Sequence, residues 1–228
     1  MKVLAVIFDL DGVLIDSEGV WNAARRQVAL EHGGRWPAAA QREMMGMSST
    51  EWSRYMHDQL GVALSPERIS ETVVARLEQL YRARLPLLPA ARQTVIGLAA
   101  SWPLGLASSA NRPIIELVLK LSELREYFAA TVSSEEVPHG KPAPDVYLEA
   151  ARRVGAAPAG CVAIEDSTNG IRSAAAAMMA VIAVPNREFP PDASALSLAD
   201  DVLDSLDGLT PERVRAAAAE SLRLPPDA

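Results

Sequence analysis

The stretch "AVIFDLDGVLIDSE", residues 5–18, runs apolar from Ala5 to Phe8 and then stops at an aspartate. A second aspartate follows after one leucine, then Gly12 and a new apolar run. Continuous rather than alternating hydrophobicity predicts a strand covered on both faces, as in a parallel sheet. Its carboxyl end carries Asp9 and Asp11, and in open α/β sheets ligands gather at that edge. Taken singly, a D-x-D-G tetrapeptide also fits a solvated turn or a calcium loop. The EF-hand version fails: counting from Asp9, it needs Asp or Asn at 13 and Glu at 20, and Val13 and Val20 stand there.

Further apolar runs predict strands at Leu104–Ala107, Cys161–Ile164 and Ala180–Val184, with weaker ones at Ala130–Val132 and Asp201–Leu203. Helical patterns alternate with them. In Asn111–Leu121, Ile114, Leu117, Val118 and Leu121 recur at helical spacing with Asn111 as N-cap. Pro144–Val154 begins with Pro and Asp145 and ends on Arg152 and Arg153 before Gly155. This alternation predicts a doubly wound α/β fold with a parallel sheet.

One gap breaks the rhythm. After Asp9 no comparable strand comes until Leu104, whereas a βαβ unit needs about 30 residues. The intervening piece reads as helices at Glu18–Glu31, Ala38–Met45, Thr50–Leu60 and Pro66–Leu85, the last with a stripe of Ile69, Val73, Leu77 and Leu80. The return, "RLPLLPAA", is stiffened by two prolines. We read residues 17–85 as an inserted all-helical cap, and 1–16 with 86–228 as the α/β core.

The chain has 228 residues, 49% of them hydrophobic, and a net charge of −7; its pI is about 5.1. No basic footprint suits nucleic acid. The longest late apolar run, Ala174 to Val184, is far short of the ~20 residues that span a bilayer. A single cysteine, Cys161, excludes an intrachain disulfide and a cysteine-rich zinc site. A cytoplasmic, monomeric protein is expected, without membrane or nucleic-acid partners. Any bound phosphate must be met by local positive charge, and only Lys2, Lys120 and Lys141 are lysines among 22 basic residues.

Three further pieces fall at the ends of predicted strands. "CVAIEDSTNGIRSA" ends a strand on Glu165 and Asp166, which also fits an acid pair at a helix N-terminus. Carboxylates delivered from two strands repel unless a cation is present, and hard oxygen ligands in a partly open site favour Mg²⁺. "LASSANRP" puts Ser108 and Ser109 before a helix start, either an ordinary N-cap or an anion site. "HGKPAPDVY" places Lys141 in a turn, where a lone lysine is usually just solvated.

The order D-x-D-G, Ser, Lys, Glu-Asp resembles the haloacid dehalogenase superfamily, and "FDLDGVLIDSE", "LASSANR", "GKPAPDVYLEAA" and "IEDSTNGIRSA" carry the likeness over nearly the whole chain. The helical insert is similar to the cap of the subgroup with β-phosphoglucomutases and small sugar-phosphate phosphatases. One departure is Ala90, where many relatives have glycine, which would stiffen the re-entry turn. The resemblance implies a Mg²⁺-dependent phosphatase acting on a small phosphorylated metabolite, a sugar or polyol phosphate, through an aspartyl-phosphate. It gives Asp9 as nucleophile, Asp11 as general acid and base, and Lys141 as charge partner. Asp9, the Asp11 carbonyl, Asp166 and Glu165 would surround the metal. Ser108, Ser109 and Asn111 would bind phosphate, and the cap residues Glu18, Trp21 and 44–49 would face the substrate.

Other chemistries of the superfamily are weighed by residue. Dehalogenases work without a second aspartate or a metal, against which Asp11 and Asp166 stand. Phosphonoacetaldehyde hydrolases use a cap lysine, and residues 17–85 contain none. A β-phosphoglucomutase is the chief alternative, although Trp21 and Ser49 stand where those mutases have histidine and arginine; Arg42, Arg54 or Arg76 could bind a distal phosphate. A non-catalytic Mg²⁺- or phosphate-binding regulator is the remaining reading. His32, His57 and His139 are expected to be packing or surface residues.

Overall fold

In a computed structural model the described residues are 2–45 and 47–221. Position 46, and 222–228 of the expected core, lie outside them. Strand β1 (Ala5–Phe8) is followed by four helices: α1 (Glu18–Glu31), α2 (Ala40–Met44), α3 (Ser49–Asp58) and α4 (Pro66–Ala83). Then come α5 (Ala91–Ala99), β2 (Leu104–Ser108), α6 (Arg112–Leu121), β3 (Phe128–Ser133), α7 (Asp145–Val154), β4 (Cys161–Glu165) and α8 (Thr168–Ala176). The chain closes with β5 (Ala180–Ala183), α9 (Ala193–Leu196), β6 (Asp201–Val202) and α10 (Pro211–Glu220).

The strands form one sheet in the order β3-β2-β1-β4-β5-β6, every pair parallel. Its continuous apolar strands have the cause expected. Val6 and Phe8 of β1 enter the core on one face, and Ala5 and Ile7 enter that on the other. The first of these cores runs on without a break into the helical insert, through Trp21, Trp52, Ile69 and Tyr81. The fold is therefore the doubly wound α/β core with a helical cap.

Successive strands are laid down to one side of β1 as β2 and β3, and to the other as β4, β5 and β6. The order thus reverses between β1 and β4, the crevice where ligands bind in such sheets. Register does the rest: Phe8 pairs with Ile164, and the Asp9 amide donates to the Ile164 carbonyl at 3.0 Å. Asp9 and Glu165 are thereby set side by side, with Asp166 one residue beyond.

Local chemistry fixes the cap helices. Ser48 and Glu51 close a capping box on α3. Ser65 accepts from the Arg68 amide and Pro66 opens α4, whose buried stripe is Ile69, Val73, Leu77 and Tyr81, each four residues on from the last. Leu80, expected in that stripe, is exposed instead; in the last turn of α4 the buried place is taken by Tyr81. Leu121, the last residue of α6, is likewise exposed.

The re-entry turn carries strain. Ala90 has φ +62, a left-handed conformation that costs a residue with a Cβ about 1–2 kcal/mol. Its alanine strains the turn as well as stiffening it. Glycine relieves that cost but adds about 0.5–1 kcal/mol of unfolded-state entropy. Ala90→Gly is therefore expected to raise stability modestly, by about 0.5–1 kcal/mol in urea unfolding; a clear loss would show the turn relaxed.

Candidate active site

Lys141 is the hub. Its Nζ donates to Asp9 Oδ1 at 2.6 Å and to Glu165 Oε1 at 2.5 Å, and all three side chains are buried. Glu165 is filled on both oxygens. Tyr147 adds a 2.8 Å hydroxyl bond to Oε1, while Oε2 accepts from the Asp166 amide at 3.0 Å and from the Ser167 amide and hydroxyl. A side chain at Gly170 would overlap the Glu165 carboxyl, so glycine is required on that face of α8.

Asp166 is the opposite case. It is buried, yet among the described residues nothing donates a hydrogen bond to its side chain. Its carboxylate rests on the backbone of Gly12, where any Cβ would overlap it; Gly12 also has φ +79. Burial, then the charges of Glu165 and Asp9, push Asp166 well above the carboxylate range. Burial likewise drives Asp9 from 3.8 up to about 8, with Lys141 opposing and Glu165 and Asp11 adding to the rise. Burial alone would lower the Lys141 ammonium, but Asp9 and Glu165 hold it above the lysine range.

Asp9, Glu165 and Asp166 each offer a carboxylate oxygen within 4.8 Å of the others. One lysine cannot neutralise that set, and Asp166 has no donor of its own. The donors are hard oxygens and the cradle at Gly12 keeps Asp166 aimed inward, so the residues fit a divalent cation.

Asp9 and Asp166 of this set line the floor of a cavity of about 420 Å³, and Glu165 lies behind it. From the core come Asp9, Asp11, Ser109, Lys141 and Asp166, and from the cap Glu18, Trp21, Arg25, Met44 and Trp52. The cap reaches the floor directly: Trp21 Nε1 donates to Asp11 Oδ1 at 2.9 Å. Met44, Met45 and Met47 also line the cavity.

Two of the expected phosphate ligands are not among the residues that line the cavity. Ser108 is fully buried, its hydroxyl accepting from the Ala110 amide. Asn111 stands at the N-cap position of α6, but its side chain does not cap. It spans the joint between cap and core, donating to Ser70 Oγ at 3.3 Å and Glu135 Oε1 at 2.8 Å, and Ser49 of α3 donates to the same oxygen. Of the arginines weighed, Arg42 lines the cavity, whereas Arg54 does not and Arg76 pairs with Glu31. None of the histidines lines it; His57 meets backbone carbonyls and His139 meets Asp145.

The residue missed was Arg25. It lies seven positions after Glu18 and four after Trp21, so extending that helical face would have found it.

An α/β switch point carrying a buried acid cluster, a lysine and a capped cavity defines a hydrolase-type site for a small anionic substrate. A family model of haloacid dehalogenase-like hydrolases matches residues 3–177, and the chain belongs to that family. It is 35% identical over 226 residues to hexitol phosphatase B of Escherichia coli (strain K12), covering 92% of this chain and 95% of that one. It is 28% identical to fructose-1-phosphate phosphatase YqaB of the same strain, over 80% of this chain and 97% of the other. The crystal structure of β-phosphoglucomutase from Clostridium difficile superposes with a TM-score of 0.84 at 24% identity, covering 98% and 100% of the two chains, which is a likeness of fold. The chain is thus an enzyme, of the phosphoric monoester hydrolase class that its phosphatase relatives share. Among the described residues no helix is long and apolar enough to cross a membrane.

Metal binding and pH are linked here with a definite sign. The raised Asp9 keeps a proton in the metal-free fold that the unfolded chain has lost, so its contribution to stability is full below about pH 4 and gone by about pH 8. A divalent cation binds only the deprotonated carboxylates. The rise in Tm on adding the cation to chelator-treated protein is expected to be larger at pH 8 than at pH 5.5; an equal or reversed shift would contradict the cluster as a metal site.

Proposed function

We propose that the protein is a Mg²⁺-dependent phosphatase of sugar or polyol phosphates that works through an aspartyl-phosphate on Asp9. One observation carries the reading: Asp9, Asp11, Lys141 and Asp166 share the floor of a single capped cavity. Hexitol- and fructose-phosphate phosphatases among the relatives support the substrate class. Residues 17–85 serve as the cap over the core formed by 1–16 and 86–228. A cytoplasmic, monomeric state belongs to the same proposal.

Asp9 and Asp166, with the Asp11 carbonyl, would hold Mg²⁺, which when bound neutralises charge on the phosphoryl oxygens. Glu165 serves chiefly to fix Lys141, since both its oxygens are taken. Lys141 opposes the rise in the pKa of Asp9 and holds its carboxylate in place. An Asp9 oxygen attacks phosphorus and the bond to the leaving oxygen breaks, that oxygen taking the proton of Asp11. Trp21 occupies Asp11 Oδ1, so the proton travels on Oδ2. Water then attacks the same phosphorus, Asp11 Oδ2 takes its proton, and the bond to Asp9 breaks to free phosphate. Ser109 and the backbone beside it at the start of α6 supply hydroxyl and N–H donors to the phosphoryl group.

Water as acceptor is favoured over a second sugar hydroxyl by the cap. Trp21 can only donate to Asp11, and Ser49 is spent on Glu135 rather than facing the cavity. Given β-glucose 1-phosphate with a bisphosphate primer, the enzyme is expected to release mainly inorganic phosphate; rapid accumulation of glucose 6-phosphate would assign it as the mutase.

Two variants test the roles. Asp9→Asn, nearly isosteric, should leave no more than trace turnover. Asp11→Asn should slow a sugar phosphate by about 10²–10⁴-fold and p-nitrophenyl phosphate much less, because nitrophenolate leaves without a proton. Substantial turnover by Asp9→Asn, or equal slowing of both substrates by Asp11→Asn, would contradict the assignment.

A further inference from the structure

Arg25 is a buried cation that the steps above do not use. It is 6% exposed and lines the cavity. Its guanidinium stands 4.5 Å from the centre of the Trp21 ring and 5.0 Å from that of Trp52. The two indoles meet edge to face at 6.0 Å, so the flat group is held by rings on α1 and α3. Among the described residues nothing accepts a hydrogen bond from it, and Nε is wholly enclosed without a partner. Guanidinium nitrogens only donate. Burial lowers its pKa to about 10 against the pull of Glu18 and Asp11, so its charge is kept at a cost that folding alone does not explain.

The neighbouring groups have the opposite need. Glu18 Oε2 accepts from Gln41 Nε2 at 2.6 Å, while Oε1 has no donor among the described residues. The cavity wall thus presents a donor-only group and, on Glu18, an acceptor oxygen without a donor, and a hydroxyl answers both, since it accepts and donates. A second anion suits the cavity poorly. Its ionisable lining already holds Asp9, Asp11, Asp166, Glu18 and Glu188 against Lys141, Arg25 and Arg42, and the phosphoryl group adds more negative charge.

We propose that Arg25 is a specificity-determining residue that donates to hydroxyl oxygens on the non-phosphorylated part of the substrate, with Glu18 receiving a hydroxyl hydrogen. The enzyme then selects a neutral, polyhydroxylated chain over an alkyl or anionic tail of equal length. This deepens the phosphatase reading and rests on it. The clamp also bears on rate, because Trp21 touches both Arg25 and Asp11. A substrate seated on Arg25 steadies the ring that orients the acid.

The test uses the full chain with Mg²⁺ and three esters of equal length: a hexitol phosphate, hexyl phosphate and a phosphorylated sugar acid. Wild type is expected to prefer the hexitol phosphate. In Arg25→Met, which fills the slot between the indoles with an apolar chain, the kcat/KM ratio of hexitol to hexyl phosphate should fall about 10- to 100-fold, the worth of one charge-assisted hydrogen bond. Its Tm should hold or rise, because an uncompensated buried charge is gone. Wild-type preference for the alkyl ester or the sugar acid would overturn the proposal while leaving the phosphatase intact. So would an unchanged ratio in Arg25→Met, or a lowered Tm with the preference retained, which marks Arg25 as structural. No phosphate release by wild type from any of the three overturns the phosphatase reading, and this one with it.

Discussion

The Lys141 ammonium lies between the carboxylates of Asp9 and Glu165 in a place with almost no solvent, and the rest of the site depends on that arrangement. A buried charge pair is expensive to create and more expensive to break, so the surroundings are built to keep it whole. The β1–β4 register sets Asp9 beside Glu165. Tyr147 and the start of α8 fill the remaining lone pairs of Glu165, and Gly170 makes room for it. Glu165 cannot swing, so Lys141 cannot, and Asp9 is held where a phosphoryl group would meet it. Asp166, seated against Gly12 and with no hydrogen-bond donor among the described residues, has its carboxylate free to meet a cation beside Asp9.

The cap supplies what the core lacks. Its helices share a continuous hydrophobic core with one face of the sheet, and polar contacts join the two at two points. Trp21 on Asp11 is one; Ser49, Ser70 and Asn111 around Glu135 form the other. Floor chemistry and wall recognition are therefore mechanically connected through a single indole ring.

Much of this was legible in the sequence, for identifiable reasons. Strands buried on both faces leave unbroken apolar runs, and acids ending two of them at Asp9 and at Glu165–Asp166 are conspicuous. A run of helices without a strand between Asp9 and Leu104 marked the insert. What stayed hidden depends on long-range geometry. Asn111 was read from local spacing as a side-chain cap, but Glu135 and Ser70, far away in sequence, claim its amide. Glu165 and Asp166 look alike as neighbours, yet one is saturated with donors and the side chain of the other has none among the described residues. Arg25 shares a face of α1 with Glu18 and Trp21, but only the fold brings Trp52 over it and buries its charge. The strain at Ala90 depends on a φ value that composition does not reveal.

The central claim is that the strand end aims Asp9, rather than a water molecule, at phosphorus. The stereochemical course at phosphorus tests it most directly, read with a thiophosphate ester made chiral by oxygen isotopes and hydrolysed in isotope-labelled water. Two in-line displacements, one by Asp9 and one by water, give net retention of configuration, which is the predicted result. Inversion would mean a single displacement by water and would contradict the account.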